Sequence, residues 1–568
     1  MRPFLRVNMA DMSVKDMAVP ANYEGLGGRG LIAKILNEEI DAKCDPIGEG
    51  NKLIFCTGLL AGTPVTTAQR LSVGGKSPLT NTVKEANAGG TVALLMAKLG
   101  IKAIVVEGKP KDGLWLLHIT AEGAKLVAAD EYAGLNNYEL FEKLQGKYGS
   151  KAGIAGIGSA GERLYNIASV QVSSIAGHPT RAAARGGMGA VMGSKGLKAI
   201  VVDAGGTVQV QYADRAKFVE NNKTLISGVQ GNALSGSAMP ALGTAVLVNV
   251  TNAIGALATN NFSVGQFAGA EKISGEFITD QQTKRGGRGR HGCQPGCLIK
   301  CSLDHIDENG EFITSGLEFE TLALMGSNLG IGDADAVARF DRICDDIGVD
   351  TMDAGAILGV CMEGGKAAFG DIGGALSLLK EMADGTDFGK VMGAGADSAG
   401  KALGVKRVPT VKGQGVAAYD PRALKGTGVS YAVSTMGADH TTGNAIGHPV
   451  LNPTKKDGAI PVVAQLQVVM ATADTLGVCI FSSFCWGDPT FMAALCGILE
   501  GRFGGAWDAD RTVGLGVETL TLEKEFNRKA GITAKDDVLP EFFYTEPLSP
   551  TGAVFDFTPE ELAGAIPF

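Results

Sequence analysis

Ile101-Lys102-Ala103-Ile104-Val105-Val106-Glu107-Gly108 recurs further along the chain as Leu197-Lys198-Ala199-Ile200-Val201-Val202-Asp203-Ala204. Both runs are short and rich in β-branched residues, so each predicts a buried strand. Each run follows a glycine-rich segment, residues 85–90 in the first case and residues 185–195 in the second. The repetition indicates that the first 205 residues contain a duplicated fold.

A duplicated fold offers two similar sites for two similar anionic ligands. Arg70 and Arg181 precede the two glycine-rich turns, and backbone N–H groups together with a guanidinium are suited to bind phosphate. Gly27-Gly28-Arg29-Gly30 predicts a third turn of the same chemistry. The 82 glycines favour main chain that approaches large ligands closely. A duplicated scaffold without ligands is the alternative.

The composition excludes several classes of protein. A net charge of −9 disfavours general nucleic-acid binding. Residues 1–8 are too polar for a signal peptide, so a cytoplasmic protein is expected. Residues 460–486 form the most apolar long run, but Gln465, Gln467 and Asp474 interrupt it, which predicts a buried helix and no membrane span.

Cys293, Cys297 and Cys301 have the spacing C-x3-C-x3-C. Pro295 and Gly296 lie between them and argue against a regular helix, so we predict a tight loop wrapped around an ion or a cluster. Thiolates are the ligands that an iron–sulfur cube prefers, and a cube needs four of them. The fourth thiolate must therefore come from elsewhere in the chain.

Other interpretations of the three cysteines remain open at this stage. They could bind zinc together with His291 or His305. They could be free thiols, or they could belong to a radical enzyme whose three-cysteine motif is one residue shorter in its second gap. A disulfide framework is disfavoured, because ten cysteines in 568 residues are too few for a disulfide-rich protein.

The pattern D-x-x-G-V-[DC] occurs twice, as Asp345-Asp346-Ile347-Gly348-Val349-Asp350 and as Asp474-Thr475-Leu476-Gly477-Val478-Cys479. The shared spacing suggests that the two segments hold equivalent parts of two equivalent ligands, with the aspartates accepting hydrogen bonds from ring N–H groups. The second copy ends in Cys479, which would bring a thiolate beside its ligand. We therefore predict that Cys479 is the fourth cluster ligand.

Two further residues are candidates for chemistry. Glu320 lies in an apolar helical stretch, so burial should raise its pKa and make it a proton acceptor. A buried acid that only caps or pairs is the alternative. His440 follows Asp439 and is one of only six histidines, although a lone histidine is more often structural.

Together with Leu5-Arg6-Val7-Asn8, Gly75-Lys76-Ser77-Pro78-Leu79-Thr80 and Gly437-Ala438-Asp439-His440, these motifs resemble the aldehyde ferredoxin oxidoreductase family of tungsten, sometimes molybdenum, enzymes. The resemblance covers nearly the whole chain and implies an α+β fold. A duplicated two-sheet, β-rich, bis-pterin-binding domain (residues 1–206) would precede a middle helical domain with the cysteine motif (residues 207–410) and a C-terminal helical domain with the fourth cysteine (residues 411–568).

The resemblance also implies the cofactors. Four dithiolene sulfurs of two pterins would hold tungsten or molybdenum, a Mg²⁺ ion would bridge the pterin phosphates through the main-chain carbonyls of Asn87 and Ala182, and the four cysteines would hold a [4Fe–4S] cluster. Arg70 and Arg181 would meet the phosphates, Asp345 and Asp474 the pterin rings, and Glu320 and His440 would lie beside the metal. The full set of implied cofactor-binding residues is Arg70, Asn87, Ala88, Gly89, Arg181, Ala182, Arg185, Asp345, Gly348, Asp350, Asp474, Gly477 and Val478.

The implied activity is the oxidation of an aldehyde to a carboxylic acid, with electrons passing to ferredoxin or to an iron–sulfur partner subunit, in an oligomeric protein. Two alternatives keep the cofactors and change the substrate, namely hydroxycarboxylate oxidation and aryl-CoA reduction. A third alternative is an electron-transfer subunit that has lost the pterins.

Overall fold

Twelve strands of the N-terminal part form two six-stranded sheets. The structure is a computed structural model that describes residues 4–206 and 210–566. The first sheet contains β1 (Phe4–Asn8), β2 (Ser13–Met17), β3 (Leu53–Thr57), β4 (Leu71–Lys76), β5 (Val83–Ala88) and β6 (Ala103–Glu107). The second contains β7 (Trp115–Ile119), β8 (Ala124–Ala128), β9 (Gly153–Gly156), β10 (Val170–Val172), β11 (Arg181–Ala183) and β12 (Leu197–Val202).

The two sheets share one topology. The strand order is β2-β1-β6-β3-β4-β5 in the first sheet and β8-β7-β12-β9-β10-β11 in the second. In each, the last strand of the repeat lies between the first strand, to which it is parallel, and the third strand, to which it is antiparallel. The two runs that resemble each other in sequence are β6 and β12, so the predicted duplication is confirmed.

Helices α1 (Gly28–Glu39) and α3 (Asn137–Tyr148) cover the outer faces of the two sheets, whereas the inner faces share one core with α2 (Val92–Lys98) and α5 (Met188–Ser194). In β3, Leu53 and Phe55 belong to the core that the sheets share, whereas Ile54 and Cys56 pack towards helix α1. This alternation follows from the two-residue period of a strand. The helices of this part are α1 (Gly28–Glu39), α2 (Val92–Lys98), α3 (Asn137–Tyr148), α4 (Ser159–Glu162) and α5 (Met188–Ser194).

A lysine at the start of each repeated run has an equivalent role in both repeats. Lys102 Nζ donates to the carbonyls of Tyr23 (2.8 Å) and Glu24 (2.7 Å), just before α1. Lys198 Nζ donates to the carbonyl of Leu135 (2.7 Å), just before α3. In each repeat, the lysine therefore ties the central strand to the turn that precedes the outer helix.

The rest of the chain is mainly helical, with two short hairpins. The hairpins are β13 (Asp304–Ile306) with β14 (Phe312–Ser315), and β15 (Thr410–Val411) with β16 (Gln414–Gly415). The helices are α6 (Arg215–Gly231), α7 (Met239–Leu242), α8 (Leu247–Ala253), α9 (Gly275–Lys284), α10 (Phe319–Leu324), α11 (Ala334–Ile347), α12 (Thr351–Glu363), α13 (Ile372–Asp384), α14 (Asp387–Gly393), α15 (Ala396–Leu403), α16 (Lys425–Val433), α17 (Ala459–Leu476), α18 (Pro489–Phe503), α19 (Ala509–Ala530), α20 (Phe542–Thr545) and α21 (Pro559–Ala563). The predicted α+β class is confirmed.

Helices far apart in sequence share cores in this helical part. Phe218 and Leu225 of α6 pack with Phe491 and Leu495 of α18 in one hydrophobic cluster. The start of the predicted middle domain therefore packs on the C-terminal third of the chain. The domain boundaries at residues 206/207 and 410/411 stay predictions, and residues 207–209 lie outside the described ranges.

The predicted buried helix in residues 460–486 is confirmed as α17. It is long and apolar enough to cross a membrane, but 61% of it is buried inside the protein. Its Val468 and Ala471 pack with Leu520 of α19. Residues 234–242 and 244–253 form two shorter helical segments that are long and apolar enough to cross a membrane only when taken together. The angle between the two segments is 86°.

Candidate functional site

The second D-x-x-G-V segment, residues 474–479, ends helix α17 and packs against the loop between β3 and β4. Arg70 N donates to Gly477 O (3.2 Å), and Cys479 N donates to Thr67 O (3.0 Å). Gly477 has a φ of +78°, a conformation that glycine adopts without strain. The turn therefore brings Asp474 and Cys479 to the edge of the first repeat.

The first D-x-x-G-V segment, residues 345–350, makes the equivalent contact with the loop between β9 and β10. Ser169 N donates to Gly348 O (2.9 Å), and Asp350 N donates to Ile167 O (3.1 Å). Gly348 also has a φ of +78°. The similarity of the two segments in sequence thus corresponds to equivalent positions on the two repeats.

Glycines at these contacts let two main chains cross. A Cβ atom built on Gly58 would overlap the Cα atom of Gly477, and one on Gly158 would overlap the carbonyl of Ile347. Each repeat therefore has a close crossing between its loop and its D-x-x-G-V segment. Some of the many glycines therefore allow close contacts within the protein, whereas the sequence predicts that glycines allow close contacts with ligands.

The turn Gly27-Gly28-Arg29-Gly30 also contacts protein, and this corrects the prediction of a third phosphate-binding turn. A Cβ atom on Gly28 would overlap the carbonyl oxygen of Asp474. Arg29 Nε and Nη2 donate to the two carboxylate oxygens of Glu523 (2.7 and 2.9 Å), and Nη1 lies 3.3 Å from Asp474 Oδ2. Two carboxylates thus occupy this guanidinium, and the glycines admit neighbouring backbone.

Residues 293–301 form the predicted loop. No regular helix occurs in this segment, and main-chain hydrogen bonds between His291 and Ser302 (2.9 and 3.1 Å) close its ends. Gln294 Nε2 donates to Thr67 O (2.6 Å), which fastens the loop to the residue that also contacts Cys479. The loop and residue 479 therefore meet at the same part of the first repeat.

All four cysteines predicted to bind the cluster interact with one another. Burial raises the pKa of Cys479 to about 12, while Arg70 opposes the shift and the thiols of Cys293 and Cys297 add to it. Burial also raises the pKa of Cys301, and the other three thiols contribute. An electropositive metal cluster is a centre that would hold such thiols as thiolates.

The zinc alternative fits the structure less well. Among residues 4–206 and 210–566, no three His, Cys, Asp or Glu side chains lie close enough together to share one metal ion. His305 Nε2 lies 2.6 Å from Asp335, and His291 Nε2 lies 3.5 Å from Asp304. Both histidines thus face carboxylates. A cube takes one thiolate on each iron, so its four sulfurs need not meet at one point.

Arg70 lies between the first repeat and the cysteine loop. Its Nη2 donates to Asn87 O (3.1 Å), its Nε donates to the side chain of Asn87, and its Nη1 lies 4.0 Å from Cys293 Sγ. A Cβ atom on Gly89 would lie 3.1 Å from the same sulfur, and Gly90 N donates to Cys293 O (2.9 Å). The predicted phosphate and cluster residues are therefore neighbours.

Asn87 and Ala182 occupy equivalent register positions on β5 and β11. Asn87 pairs with Ser72 of the neighbouring strand β4, and Ala182 pairs with Gln171 of the neighbouring strand β10. Ala88 follows as the last residue of β5. Because β5 and β11 contact each other, the two carbonyls come from corresponding points of adjacent strands.

Arg181 is not the structural equivalent of Arg70. It opens β11, and the position that corresponds to Arg70 in the second repeat is Ser169, whose N–H bonds the equivalent glycine carbonyl. Arg181 donates to the hydroxyls of Ser302 and Ser315 (both 2.8 Å). Within the described ranges, neither arginine has a carboxylate within 4.0 Å. A buried guanidinium without such a partner suits an anionic ligand.

Each predicted ring-binding aspartate has a second buried acid beside it. Burial raises the pKa of Asp474 to about 8, a shift to which Glu85 contributes and which Arg29 opposes. Burial also raises the pKa of Asp345, and Asp341 adds to the shift. Thr314 Oγ1 lies 2.5 Å from Asp341 Oδ2 and 3.4 Å from Asp345 Oδ2. Carboxyls of this kind can donate as well as accept a hydrogen bond.

Arg185 joins three elements around the site. Its Nη1 donates to Ala438 O (2.7 Å), its Nη2 to Gly415 O (2.5 Å) and its Nε to Asp350 Oδ2 (3.2 Å). These hydrogen bonds of Arg185 hold protein groups next to residue 440.

Val478, another predicted cofactor-binding residue, lies buried in the turn after α17.

Glu320 is buried and faces His440, which is partly exposed. Glu320 Oε2 accepts from Ala418 N (2.8 Å), and Oε1 lies 3.5 Å from His440 Nε2. Burial raises the pKa of Glu320, while His440 opposes the shift. The rings of Phe319 and Tyr419 (4.7 Å) and of Tyr419 and His440 (5.8 Å) form an aromatic wall. A buried carboxyl with a raised pKa is a candidate proton acceptor.

Several charged residues of the site were missed by the sequence analysis. Lys84 and Glu85 lie on β5, and Asp341 lies one helical turn before Asp345 on α11. Two features of the sequence could have indicated them. Lys84 and Glu85 are adjacent charges in a strand that is otherwise buried, and Asp341 and Asp345 are acids spaced four residues apart, on one face of a helix.

Comparison with known proteins agrees with this architecture. The model described as "Aldehyde ferredoxin oxidoreductase, N-terminal domain" matches residues 4–204, and the model described as "Aldehyde ferredoxin oxidoreductase, domains 2 & 3" matches residues 220–563. The chain belongs to the aldehyde ferredoxin oxidoreductase family.

Relatives in this family have more than one activity in their names. The chain is 34% identical over 575 residues to a "Tungsten-containing aldehyde ferredoxin oxidoreductase" of Pyrococcus horikoshii, covering 96% of this chain and 91% of the relative. The protein of the same name from Pyrococcus furiosus is 32% identical, again covering 96% of this chain and 91% of the relative. An "Aliphatic sulfonate oxidoreductase, WOR-like subunit" of Pyrococcus furiosus is 27% identical, covering 74% of this chain and 71% of that one.

A solved structure with a similar fold extends the comparison. It is described as "Active site complex BamBC of Benzoyl Coenzyme A reductase in complex with 1,5 Dienoyl-CoA". The TM-score is 0.81 at 20% sequence identity, and the match covers 99% of this chain and 92% of the other. At this identity the likeness establishes the fold and not the substrate.

Proposed function

We propose that this protein oxidises aldehydes to carboxylic acids with a tungsten bis-pterin cofactor. Electrons would leave through a [4Fe–4S] cluster to ferredoxin or to an iron–sulfur partner subunit. The observation that carries the proposal is the buried Glu320 facing His440 at 3.5 Å, in a chain related to tungsten-containing aldehyde ferredoxin oxidoreductases. A cytoplasmic location and an oligomeric assembly belong to the same proposal.

The residues around the two repeats fit an anionic cofactor. Arg70 and Arg181 would meet its phosphates, because neither guanidinium has a carboxylate partner within the described ranges. Asp345 and Asp474 would contact the two pterin rings, and a Mg²⁺ ion would bind main-chain carbonyls of β5 and β11. The cluster would bind Cys293, Cys297, Cys301 and Cys479. When bound, the metal centre accepts two electrons and acts as a Lewis acid.

The protein side chains would handle hydrogen bonds and protons. The overall reaction is RCHO + H₂O → RCOOH + 2 H⁺ + 2 e⁻, with oxidised ferredoxin as the electron acceptor. His440 would donate a hydrogen bond to the oxygen of the aldehyde, where negative charge develops. Glu320 would accept one of the protons at Oε1, the carboxylate oxygen that has no hydrogen-bond partner in the described part of the chain.

The proposal is tested with anaerobically purified protein in two measurements. Elemental analysis should find tungsten or molybdenum together with iron. A viologen-coupled screen of aldehydes, hydroxyacids, aliphatic sulfonates and aryl-CoA esters should give turnover with aldehydes. Turnover with another class would replace aldehyde as the substrate, and iron without tungsten or molybdenum would favour an electron-transfer subunit.

A further inference from the structure

Lys84 is a fully buried lysine that has no part in the chemistry proposed above. It lies on β5, and its exposed fraction is 0%. Its Nζ atom lies 3.2 Å from Asp439 Oδ2. A Cβ atom on Gly186 would lie 2.6 Å from Cγ of Lys84, so the missing side chain leaves the space through which the lysine stem passes. A buried ammonium needs a partner, and Asp439 is that partner.

Asp439 connects this ion pair to the turn that carries His440. Its Oδ1 atom accepts from Thr441 N (3.0 Å) and Thr441 Oγ1 (2.7 Å), so its side chain caps the 3₁₀ turn His440–Thr442. Burial alone would raise the pKa of Asp439, but Lys84 and Arg185 outweigh it and hold that pKa well below its usual range. The carboxylate therefore stays ionised between the lysine and the turn.

The main chain before the turn is fixed from a second side. Ala438 O accepts from Arg185 Nη1 (2.7 Å) and from Gln414 Nε2 (2.9 Å). These bonds hold the peptide before Asp439, whereas Lys84 holds the side chain that caps the turn. We propose that Lys84 is a positioning residue that, through Asp439, holds the His440 turn against Glu320. The importance of this orientation for turnover rests on the proposed function.

The test compares Lys84→Met with Lys195→Met. Lys195 is also fully buried, and its Nζ atom donates to the carbonyls of Asn51 (2.6 Å) and Gly48 (3.0 Å), away from the turn. Both variants remove an ammonium from the interior. Hydrogen exchange measured by mass spectrometry on the holoprotein should become about tenfold faster in residues 437–444 of Lys84→Met. It should stay unchanged there in Lys195→Met.

Kinetics supply a second readout. We expect Lys84→Met to lower kcat about 10- to 100-fold, because a displaced hydrogen-bond donor loses alignment with the reacting atoms, and to change KM by less than about threefold. Asp439→Asn should have a similar effect. The double variant should lose no more than the larger single loss, because both changes break the same ion pair.

Two results would overturn the inference: unchanged exchange in residues 437–444 of Lys84→Met, or fully additive losses in the double variant. If Lys84→Met does not fold, Asp439→Asn carries the exchange experiment, since its amide oxygen can still accept from Thr441 while the charge that holds Lys84 is gone. Exchange is measured without substrate. A failure of the aldehyde assay alone would therefore count against the proposed function and not against the role of Lys84.

Discussion

Glu320 is buried beside His440, and its Oε1 atom has no hydrogen-bond partner in the part of the chain that the structure describes. Its other oxygen is held by the N–H of Ala418. The carboxyl is thus fixed at one oxygen and free to exchange a proton at the other. At the scale of single residues, the position of Oε1, 3.5 Å from His440 Nε2, is what makes Glu320 a stronger candidate base than Asp353, another buried acid with one oxygen unpartnered within the described ranges.

Glu320→Gln should abolish turnover. Glutamine keeps the shape of the side chain and an oxygen for Ala418 N, but it cannot accept a proton. We expect kcat to fall at least about 100-fold, while tungsten and iron contents, measured by elemental analysis, stay at the wild-type level. A variant with full activity would remove Glu320 from the mechanism.

The raised pKa of Asp353 predicts how the free energy of unfolding changes with pH. Burial raises its pKa from the ordinary 3.8 to about 8, with Arg185 opposing. Between these two values the folded state holds a proton that the unfolded state has released, so the stability decreases as the pH rises. Above the folded-state pKa the loss is complete.

Asp353→Asn should flatten this dependence, because asparagine does not titrate and its oxygen can still accept from Gly415 N, which lies 2.6 Å away in the wild type. The free energy of unfolding of the wild type should fall by roughly 1 to 3 kcal/mol more than that of the variant between pH 4 and pH 8. The check is Tm as a function of pH for both proteins. Parallel curves would contradict the raised pKa.

The main-chain crossing between the β3–β4 loop and residues 474–479 is a property of two elements. Neither Gly58 nor Gly477 can carry a side chain there without displacing the other chain. The same construction recurs at Gly158 on the second repeat. Each crossing thus fixes the main chain of the segment that carries Asp474 or Asp345.

Gly58→Ala should therefore destabilise the protein by about 2 to 3 kcal/mol, because the added methyl group overpacks a buried crossing. Gly146→Ala is the matched control. Gly146 lies inside helix α3, and a Cβ atom there meets nothing within 4 Å, so alanine should stabilise the helix by about 0.5 to 1 kcal/mol. Chemical denaturation measures both. Equal effects of the two substitutions would show that the crossing is not tightly packed.

At the scale of the whole molecule, the cysteine loop and the end of α17 meet on the first repeat. Thr67 accepts a hydrogen bond from Gln294 of the loop and from the N–H of Cys479. Two parts of the chain that are distant in sequence therefore depend on one segment of the first repeat. This convergence supports the proposal that Cys479 is the fourth ligand of a cluster held by the loop.

Cys479→Ser should lower the iron content from about four atoms per chain to about three or fewer, because each thiolate of a cube holds one iron. Cys485→Ser is the control, since Cys485 is also buried and its thiol donates to Gly228 O (3.7 Å). Iron analysis and electron paramagnetic resonance of the reduced protein provide the measurement. Normal iron in Cys479→Ser would exclude residue 479 as a ligand.

The sequence predicted local patterns well and long-range arrangements less well. The repeated runs predicted β6 and β12, and the shared D-x-x-G-V spacing predicted two equivalent segments, because both signals are contained in a few consecutive residues. The pairing of Arg70 with Arg181 was wrong as a structural equivalence, since only strand register shows that Ser169 takes that position. The contact of Lys84 with Asp439 joins residues 355 positions apart, which no local pattern encodes.

The shared inner core of the two sheets indicates how a chain with only one of the two repeats would behave. In the present chain, Leu5, Phe55 and Ile104 of the first repeat are covered by residues such as Ile200 of the second. A polypeptide that contained only one repeat would expose this apolar face to water, and self-association would be its way to hide it. Two copies of such a chain could bury this face against each other, as the two repeats do here, and joining the repeats in one chain allows them to differ at positions such as 70 and 169.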